Sequence, residues 1–183
     1  MPIIYLSPST QEYNEYVIGG TEEYYMNLIA DAMVPYLDAS GIKYVRNTPE
    51  MTAASSIRAS NAGNYDAHIA LHSNAAPDSL AGALQGPDVY YYPGSTRGLA
   101  LAEIIAGNLE AIYPQPELVD VRPTTTLGEV SKTRAPAVLI EFAYHDNTED
   151  ALWIADNING IARNVVLSLT QYFGIPFVAP AGL

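Results

Sequence analysis

The sequence predicts an α/β fold: a single three-layer domain in which a mostly parallel or mixed sheet of about six strands carries helices on both faces. Two observations support this prediction. Short apolar runs alternate along the chain with longer segments of helical period. The run Val138-Leu139-Ile140 is typical of a strand that is buried on both faces. The 183 residues suit one domain, which we expect to span 1–183.

The first two predicted elements are a strand at Ile3–Leu6 and a helix over residues 21–40. The helix carries the expected terminal signals, namely an N-cap, acidic residues in the first turn and a glycine beyond the end, in Thr21, Glu22, Glu23 and Gly41. Pro35 lies inside the helical segment, where it removes a backbone donor. We therefore expect a kink or a break at Pro35.

The remaining elements follow the same two patterns. Strands are predicted at residues 42–46, 67–71, 88–92 and 137–142. Helices are predicted at residues 52–62, 97–113 and 148–173. Residues 74–86 and 114–126 are then long loops, and such loops beyond strand ends are where ligand sites form in open α/β sheets.

Charge and composition exclude several classes of protein. With 20 acidic and 8 basic residues the formal net charge is −12, so we expect no binding to nucleic acid or to anionic membranes. The absence of cysteine excludes disulfides, thiolate zinc sites and cysteine nucleophiles. No apolar run approaches the roughly 20 residues of a membrane span. The residues from Met1 to Leu6 resemble a strand and not a signal peptide.

Three residues at predicted element ends could carry chemistry: Glu23, His72 and Glu141. Each also has a structural explanation, since Glu23 could complement a helix dipole and His72 could simply end a strand. Glu141 follows a strongly apolar strand, where a carboxylate is costly unless it is paired, bound to a metal or exposed to a cleft. One histidine and two glutamates are also the residue types of a hydrolytic zinc site.

Several stretches, taken in order, resemble the catalytic domain of zinc-dependent N-acetylmuramoyl-L-alanine amidases with a His-Glu-His metal site. Glu23-Tyr24-Tyr25-Met26-Asn27-Leu28 is similar to the family's Glu at a helix start that continues to Asn-Leu. Ala70-Leu71-His72-Ser73-Asn74 resembles the family's strand-end Ser-Ile-His-Ala-Asn. Pro136-Ala137-Val138-Leu139-Ile140-Glu141 resembles Pro-Ala-Val-Leu-Val-Glu. The similarity covers roughly residues 3–173.

The resemblance implies a function and a set of site residues. Glu23 and His72 would bind a zinc ion (Zn2+), and Glu141 would be the general base. The substrate would be peptidoglycan, both glycan strand and stem peptide, cleaved between N-acetylmuramic acid and L-alanine. We expect a monomer that acts outside the cell or in the cell wall, with phage-type or non-classical release as possible routes.

The chain departs from the family at the first metal ligand. The family opens with Asp-Pro-Gly-His-Gly, and alignment on Pro8 puts its histidine at Thr10, a poor ligand for zinc. Glu12 and His145 are candidate substitutes. His68 lies about 13 Å along the strand from His72, so we expect it to be a packed or surface residue. The alternative function is therefore a non-catalytic peptidoglycan-binding or regulatory module; a Ser or Thr hydrolase is a weaker third.

Overall fold

The computed structural model describes residues 1–182 and contains one mixed, six-stranded sheet in the order β2-β1-β3-β6-β4-β5. In chain order, the strands β1 to β6 are Ile3–Pro8, Lys43–Arg46, Ala67–Asn74, Asp88–Tyr91, Asp120–Pro123 and Ala137–Tyr144. The neighbours among β2, β1, β3 and β6 pair in parallel. β4 pairs antiparallel with β6, and β5 pairs in parallel with β4.

Helices cover both faces of the sheet, which confirms the predicted three-layer arrangement. The helices α1 to α6 are Glu22–Ala39, Ala53–Ala62, Thr96–Glu110, Gly128–Ser131, Thr148–Asp156 and Ile158–Phe173. α1, α3, α5 and α6 bury their apolar residues with those of the sheet in the main core. The opposite face packs against α2 and the short α4, with a smaller apolar cluster around Ala70, Val130 and Leu139. None of the helices in the described part of the chain is long and apolar enough to cross a membrane.

The predicted start of the first helix is confirmed, and of the two effects expected at Pro35 the break does not occur. Thr21 accepts a hydrogen bond from the Tyr24 amide, as an N-cap residue does. The helix runs through Pro35 without a break. Proline costs a helix one hydrogen bond, but the core contacts of Met33 and Leu37 on either side stabilise the helical path.

Three other features differ from the sequence prediction. The predicted loop 114–126 contains the strand β5, Asp120–Pro123. The predicted single helix 148–173 is two helices, which meet at Asn157. Asn157 has a backbone conformation outside the helical region, and its side chain bonds back to the Trp153 carbonyl. The short helix α4 was not predicted, and it carries a residue of the candidate site.

Candidate active site

The candidate site lies at the carboxyl ends of β1, β3 and β6, where parallel strands open into a cleft. His72 of β3 is paired in register with Glu141 of β6. Alternate residues of a strand share a face, so His72 and Glu141 point to the face covered by α2 and α4. The sheet itself therefore brings two of the three predicted site residues together.

The His72 ring lies between two carboxylates. Its Nδ1 atom is 2.8 Å from Glu22 Oε1, and its Nε2 atom is 2.9 Å from Glu129 Oε2. Burial alone would lower the pKa of His72, but the hydrogen bonds that the ring donates to Glu129 and Glu22 outweigh burial and raise that pKa well above its usual value. In the metal-free protein both ring nitrogens therefore act as donors.

The acidic residue that reaches His72 is Glu22 and not the predicted Glu23. Glu22 is 1% exposed, whereas Glu23 faces a separate groove with Glu12 and Glu50. Successive residues of an α-helix differ in direction by roughly 100°, so the two neighbours cannot point into the same site. Burial tends to raise the pKa of Glu22, but the hydrogen bonds from His72 and Asn14 produce a net lowering.

Glu129 of α4 is a second buried carboxylate at the site, and the sequence analysis did not identify it. Its Oε1 atom accepts from the Ser7 hydroxyl and lies 3.2 Å from His68 Nε2, while Oε2 contacts His72. Burial opposes the charge, but the two imidazoles outweigh it and hold the pKa of Glu129 well below its usual range. His68 is fully buried, as the packed alternative predicted.

Glu141 differs from the other two carboxylates because one of its oxygens is unpaired. Among residues 1–182, Oε2 of Glu141 has no hydrogen-bond partner. Burial raises the pKa of Glu141 to about 7; the charge on His72 opposes that shift, and the charges on Glu22 and Asp88 add to it. A carboxyl group with this pKa can accept and release a proton near neutral pH.

A cavity of about 360 Å³ gives access to these groups. Its wall includes His72, Glu129 and Glu141, together with residues of the loop after β1 and of the segment before α2. Tyr13 stands at the cavity with 74% of its surface exposed. The cavity is therefore large enough for part of a ligand, and Glu141 is one of the residues that line it.

The loop after β1 reaches His72 through Gln11, although alignment put the family's histidine at Thr10. The Gln11 Nε2 atom is 3.4 Å from both Glu22 Oε1 and His72 Nδ1. Thr10 lines the cavity beside it. The side-chain amide of Gln11 is thus the group of this loop that lies next to Glu22 and His72.

Neither proposed substitute ligand lies at His72. His145 Nδ1 is 3.0 Å from the Ser73 hydroxyl and 3.0 Å from the Ser73 carbonyl, and its ring stacks on Tyr16. Glu12 is exposed and faces the same groove as Glu23. The structure therefore brings neither Glu12 nor His145 next to Glu22 and His72.

The donor set can be compared with what zinc requires. Within residues 1–182 no group of three His, Cys, Asp or Glu side chains is arranged to hold a metal ion. Glu22 and His72 nevertheless converge as one carboxylate and one imidazole, both of them types that zinc binds, with the Gln11 amide beside both. These two side chains supply two ligands of suitable type, one fewer than the three protein ligands of a catalytic zinc site.

Comparisons with known proteins agree with this fold. A family model described as N-acetylmuramoyl-L-alanine amidase matches residues 10–171. No curated protein matches the chain in sequence.

Solved structures show the same fold. The N-acetylmuramoyl-L-alanine amidase AmiC2 of Nostoc punctiforme is similar with a TM-score of 0.82 and 18% identity, over 94% of this chain and 97% of that one. An amidase from Clostridium difficile 630 gives a TM-score of 0.83 and 15% identity, over 94% and 97%. The catalytic domain of the CD27L endolysin, which targets Clostridium difficile, gives 0.75 and 22%, over 93% and 98%.

The family match covers most of the chain, so the family predicted from the sequence is confirmed. The chain belongs to the N-acetylmuramoyl-L-alanine amidases, the hydrolases that cleave the amide bond between N-acetylmuramic acid and L-alanine in peptidoglycan.

Proposed function

We propose that this chain cleaves its amide bond by general-base attack of water, with Glu141 as the base. The observation that carries the proposal is the unpaired Oε2 atom of Glu141, on a carboxyl group whose pKa is raised to about 7 and which borders the cavity. A general base works best when its pKa lies near the operating pH.

The proton moves through Glu141 in two steps. Glu141 takes a proton from the attacking water as the water oxygen bonds to the amide carbon. When the carbon–nitrogen bond breaks, Glu141 returns this proton to the departing amino group of L-alanine. Glu141 ends in its starting state, and one water molecule is consumed for each bond cleaved.

Glu22 and His72 are the residues that would hold a zinc ion, with the Gln11 side chain beside them. A bound zinc ion would polarise the amide carbonyl and lower the pKa of a water molecule. Glu22 takes the ligand role that the resemblance assigned to Glu23, because Glu22 is the acidic residue that lies 2.8 Å from His72. Glu141 is paired in register with His72, which supports its place next to such a centre.

The substrate we propose is peptidoglycan, with the stem peptide and its muramic acid in the cavity. Tyr13, exposed at the cavity, offers an aromatic face to a sugar ring or peptide. The negative chain would bind wall polymers of like charge poorly, which favours recognition within the cleft over adhesion by the general surface. We place its action in the cell wall, as a monomer.

The experiment is to incubate purified peptidoglycan with zinc-supplemented protein and to detect new L-alanine amino termini by derivatisation and mass spectrometry. We expect the unaltered chain to release them and Glu141→Gln to release them at least about 100-fold more slowly. The variant Glu117→Gln, which removes an exposed carboxylate, is the control. Sedimentation with peptidoglycan but no new amino termini would instead support the non-catalytic binding module.

A further inference from the structure

The cavity of the candidate site has carboxylates in its wall and no side chain of lysine or arginine. Glu129 and Glu141 line it, and Glu22 lies 2.8 Å from His72, which lines it as well. Among residues 1–182 no Lys or Arg belongs to this wall. Even with His72 charged, the carboxylates outnumber the imidazole. The cavity therefore carries an excess of negative charge when Glu141 is ionised to act as the base.

A neighbouring acidic groove extends this negative surface. It is lined by Glu12, Glu23 and Glu50, and it shares Thr10 and Met51 with the cavity. The cavity and the acidic groove therefore adjoin each other at these two residues. Within the described part of the chain, no Lys or Arg lines the acidic groove either. A ligand that leaves the cavity on this side continues beside further carboxylates.

The arginine at this end of the sheet does not offset the negative charge. Arg46 ends β2, which runs parallel to β1, and its guanidinium contacts Asp31 Oδ1 at 2.5 Å and Asn27 Oδ1 at 2.6 Å. Its charge is thus already paired with a carboxylate. The chain as a whole carries a net charge of −12, so its long-range field has the same sign as the cavity.

The amide side chains in the cavity wall have their donors occupied by the protein. Asn47 is buried, and its Nδ2 atom donates to the Pro8 carbonyl at 3.0 Å and to the Ser56 hydroxyl at 3.1 Å. The Gln11 Nε2 atom contacts Glu22. What these walls have left to offer a ligand is mainly acceptors, and carboxylates likewise only accept hydrogen bonds when ionised.

The place of the base limits how far a charge on the substrate can lie from it. In the stem peptide, L-alanine is followed by a D-glutamate joined onward through its side-chain carboxyl, so that its α-carboxyl is either free or amidated. Two residue lengths, about 7 Å, separate this α-carboxyl at most from the amide that is cleaved. Glu141 must reach the water that attacks that amide, so the two carboxyl groups lie within roughly one Debye length, about 10 Å, of each other.

We propose that the site selects stem peptides in which this α-carboxyl is amidated, so that the second residue is D-isoglutamine and not D-glutamate. The inference rests on the proposed function, which places the muramoyl–L-alanine amide beside Glu141. A free α-carboxylate is repelled by the carboxylates of the cavity and the acidic groove. An amide at the same position carries no charge, and its N–H groups are donors for a wall that offers acceptors.

The test compares kcat/KM for two N-acetylmuramoyl tripeptides, L-Ala-γ-D-Glu-L-Lys with the glutamate α-carboxyl either free or amidated. We expect the full chain to cleave the amidated tripeptide about tenfold more efficiently at low salt, as repulsion between nearby like charges requires. The preference should shrink in about 0.5 M salt. The double variant Glu12→Gln with Glu50→Gln should lower the preference severalfold by speeding cleavage of the free acid. Glu110→Gln with Glu117→Gln removes two exposed carboxylates outside both hollows and should leave the preference unchanged.

The outcomes separate this inference from the proposed function. Equal kcat/KM for the two tripeptides, or faster cleavage of the free acid, would overturn the selection and leave the proposed function intact. A preference that neither salt nor the double variant reduces would overturn its basis in charge. If neither tripeptide is cleaved, the proposed function fails, and titration calorimetry of the same pair decides the inference: about tenfold tighter binding of the amidated tripeptide supports it, and equal binding overturns it.

Discussion

His72 and Glu141 occupy paired positions on the adjacent parallel strands β3 and β6. Neighbouring strands lie about 4.8 Å apart, so the register of the sheet holds the imidazole and the carboxyl group side by side. Burial keeps Glu141 able to bind a proton, while carboxylates on both sides keep His72 charged in the metal-free protein. The proposed base is thus positioned by the most rigid part of the fold.

The raised pKa of Glu141 predicts a stability difference that depends on pH. The pKa rises from 4.5 to about 7 on folding, so the charged form is disfavoured only in the folded state. Below pH 4.5 the metal-free chain and Glu141→Gln should be equally stable. Between pH 4.5 and 7 the unaltered chain should lose roughly 3 kcal/mol relative to the variant, at about 1.4 kcal/mol per pKa unit. Urea unfolding with chelator at pH 4 and pH 8 measures this, and equal differences at both would contradict it.

The positions of Glu22 and Glu23 predict opposite results for two neighbouring substitutions. Glu22→Gln removes a buried charge beside His72 and should reduce zinc uptake and hydrolysis by at least tenfold. Glu23→Gln should retain zinc uptake, because Glu23 faces the groove with Glu12. Elemental analysis and the amino-terminus assay on both proteins check this; loss of zinc in Glu23→Gln alone would show that Glu23 is the ligand.

The hydrogen bonds of Asp150, which lies away from the cleft, predict that replacing this residue strongly destabilises the fold. Its Oδ1 atom is 2.6 Å from the Tyr113 hydroxyl, and Oδ2 accepts from the Gly86 and Tyr144 amides at 3.0 and 2.9 Å. Asp150→Ala leaves these buried donors unpaired and should cost about 3–5 kcal/mol of the free energy of unfolding.

Two further variants serve as comparisons for the stability cost of Asp150→Ala. Tyr113→Phe, which removes a single bond to Asp150, should cost about 1–2 kcal/mol. Exposed Asp156→Asn should change stability by less than about 0.5 kcal/mol. Urea denaturation measures all three; a cost for Asp150→Ala no larger than that for Tyr113→Phe would show that the two amides do not depend on Asp150.

The backbone conformation of Gly86, where the loop meets β4, predicts that a side chain at this position destabilises the fold. Its φ is +102°, and an added Cβ would lie 2.4 Å from the Leu118 carbonyl oxygen. Gly86→Ala should therefore cost more than about 2 kcal/mol. Gly41 has φ +73° but open space around it, so Gly41→Ala should cost only about 1 kcal/mol. Thermal unfolding compares them, and equal shifts would exclude the steric contribution.

The elements with strong periodicity were predictable, and those stabilised by distant partners were not. β3 and β6 carry uninterrupted apolar runs that predict buried strands. β5 is a short edge strand with exposed Arg122 and Pro123, and it shows no apolar alternation. An ion pair between Arg122 and Asp88 at 2.7 Å supports it, and nothing in the local sequence indicates that contact.

The candidate site, like the fold, contains some residues that the sequence indicated and others that it did not. His72 and Glu141 directly follow apolar runs, so their positions were visible in the sequence. Glu129 lies in a segment without periodicity, and its histidine partners are 61 and 57 residues away in the chain. The choice between Glu22 and Glu23 depends on the rotation of α1 about its axis. Met26 and Ile29 are buried on the same face of α1 as Glu22. Their helical spacing from position 22 could have indicated that Glu22, and not Glu23, points inward.

The most direct test of general-base hydrolysis is the digestion of peptidoglycan in water enriched in oxygen-18, with mass spectrometry of the glycan product. The account predicts that one labelled oxygen enters the lactyl carboxylate at each cleaved bond, and that labelling falls at least about 100-fold in Glu141→Gln. Unlabelled or absent lactyl carboxylate, or equal labelling by the unaltered chain and Glu141→Gln, would contradict it.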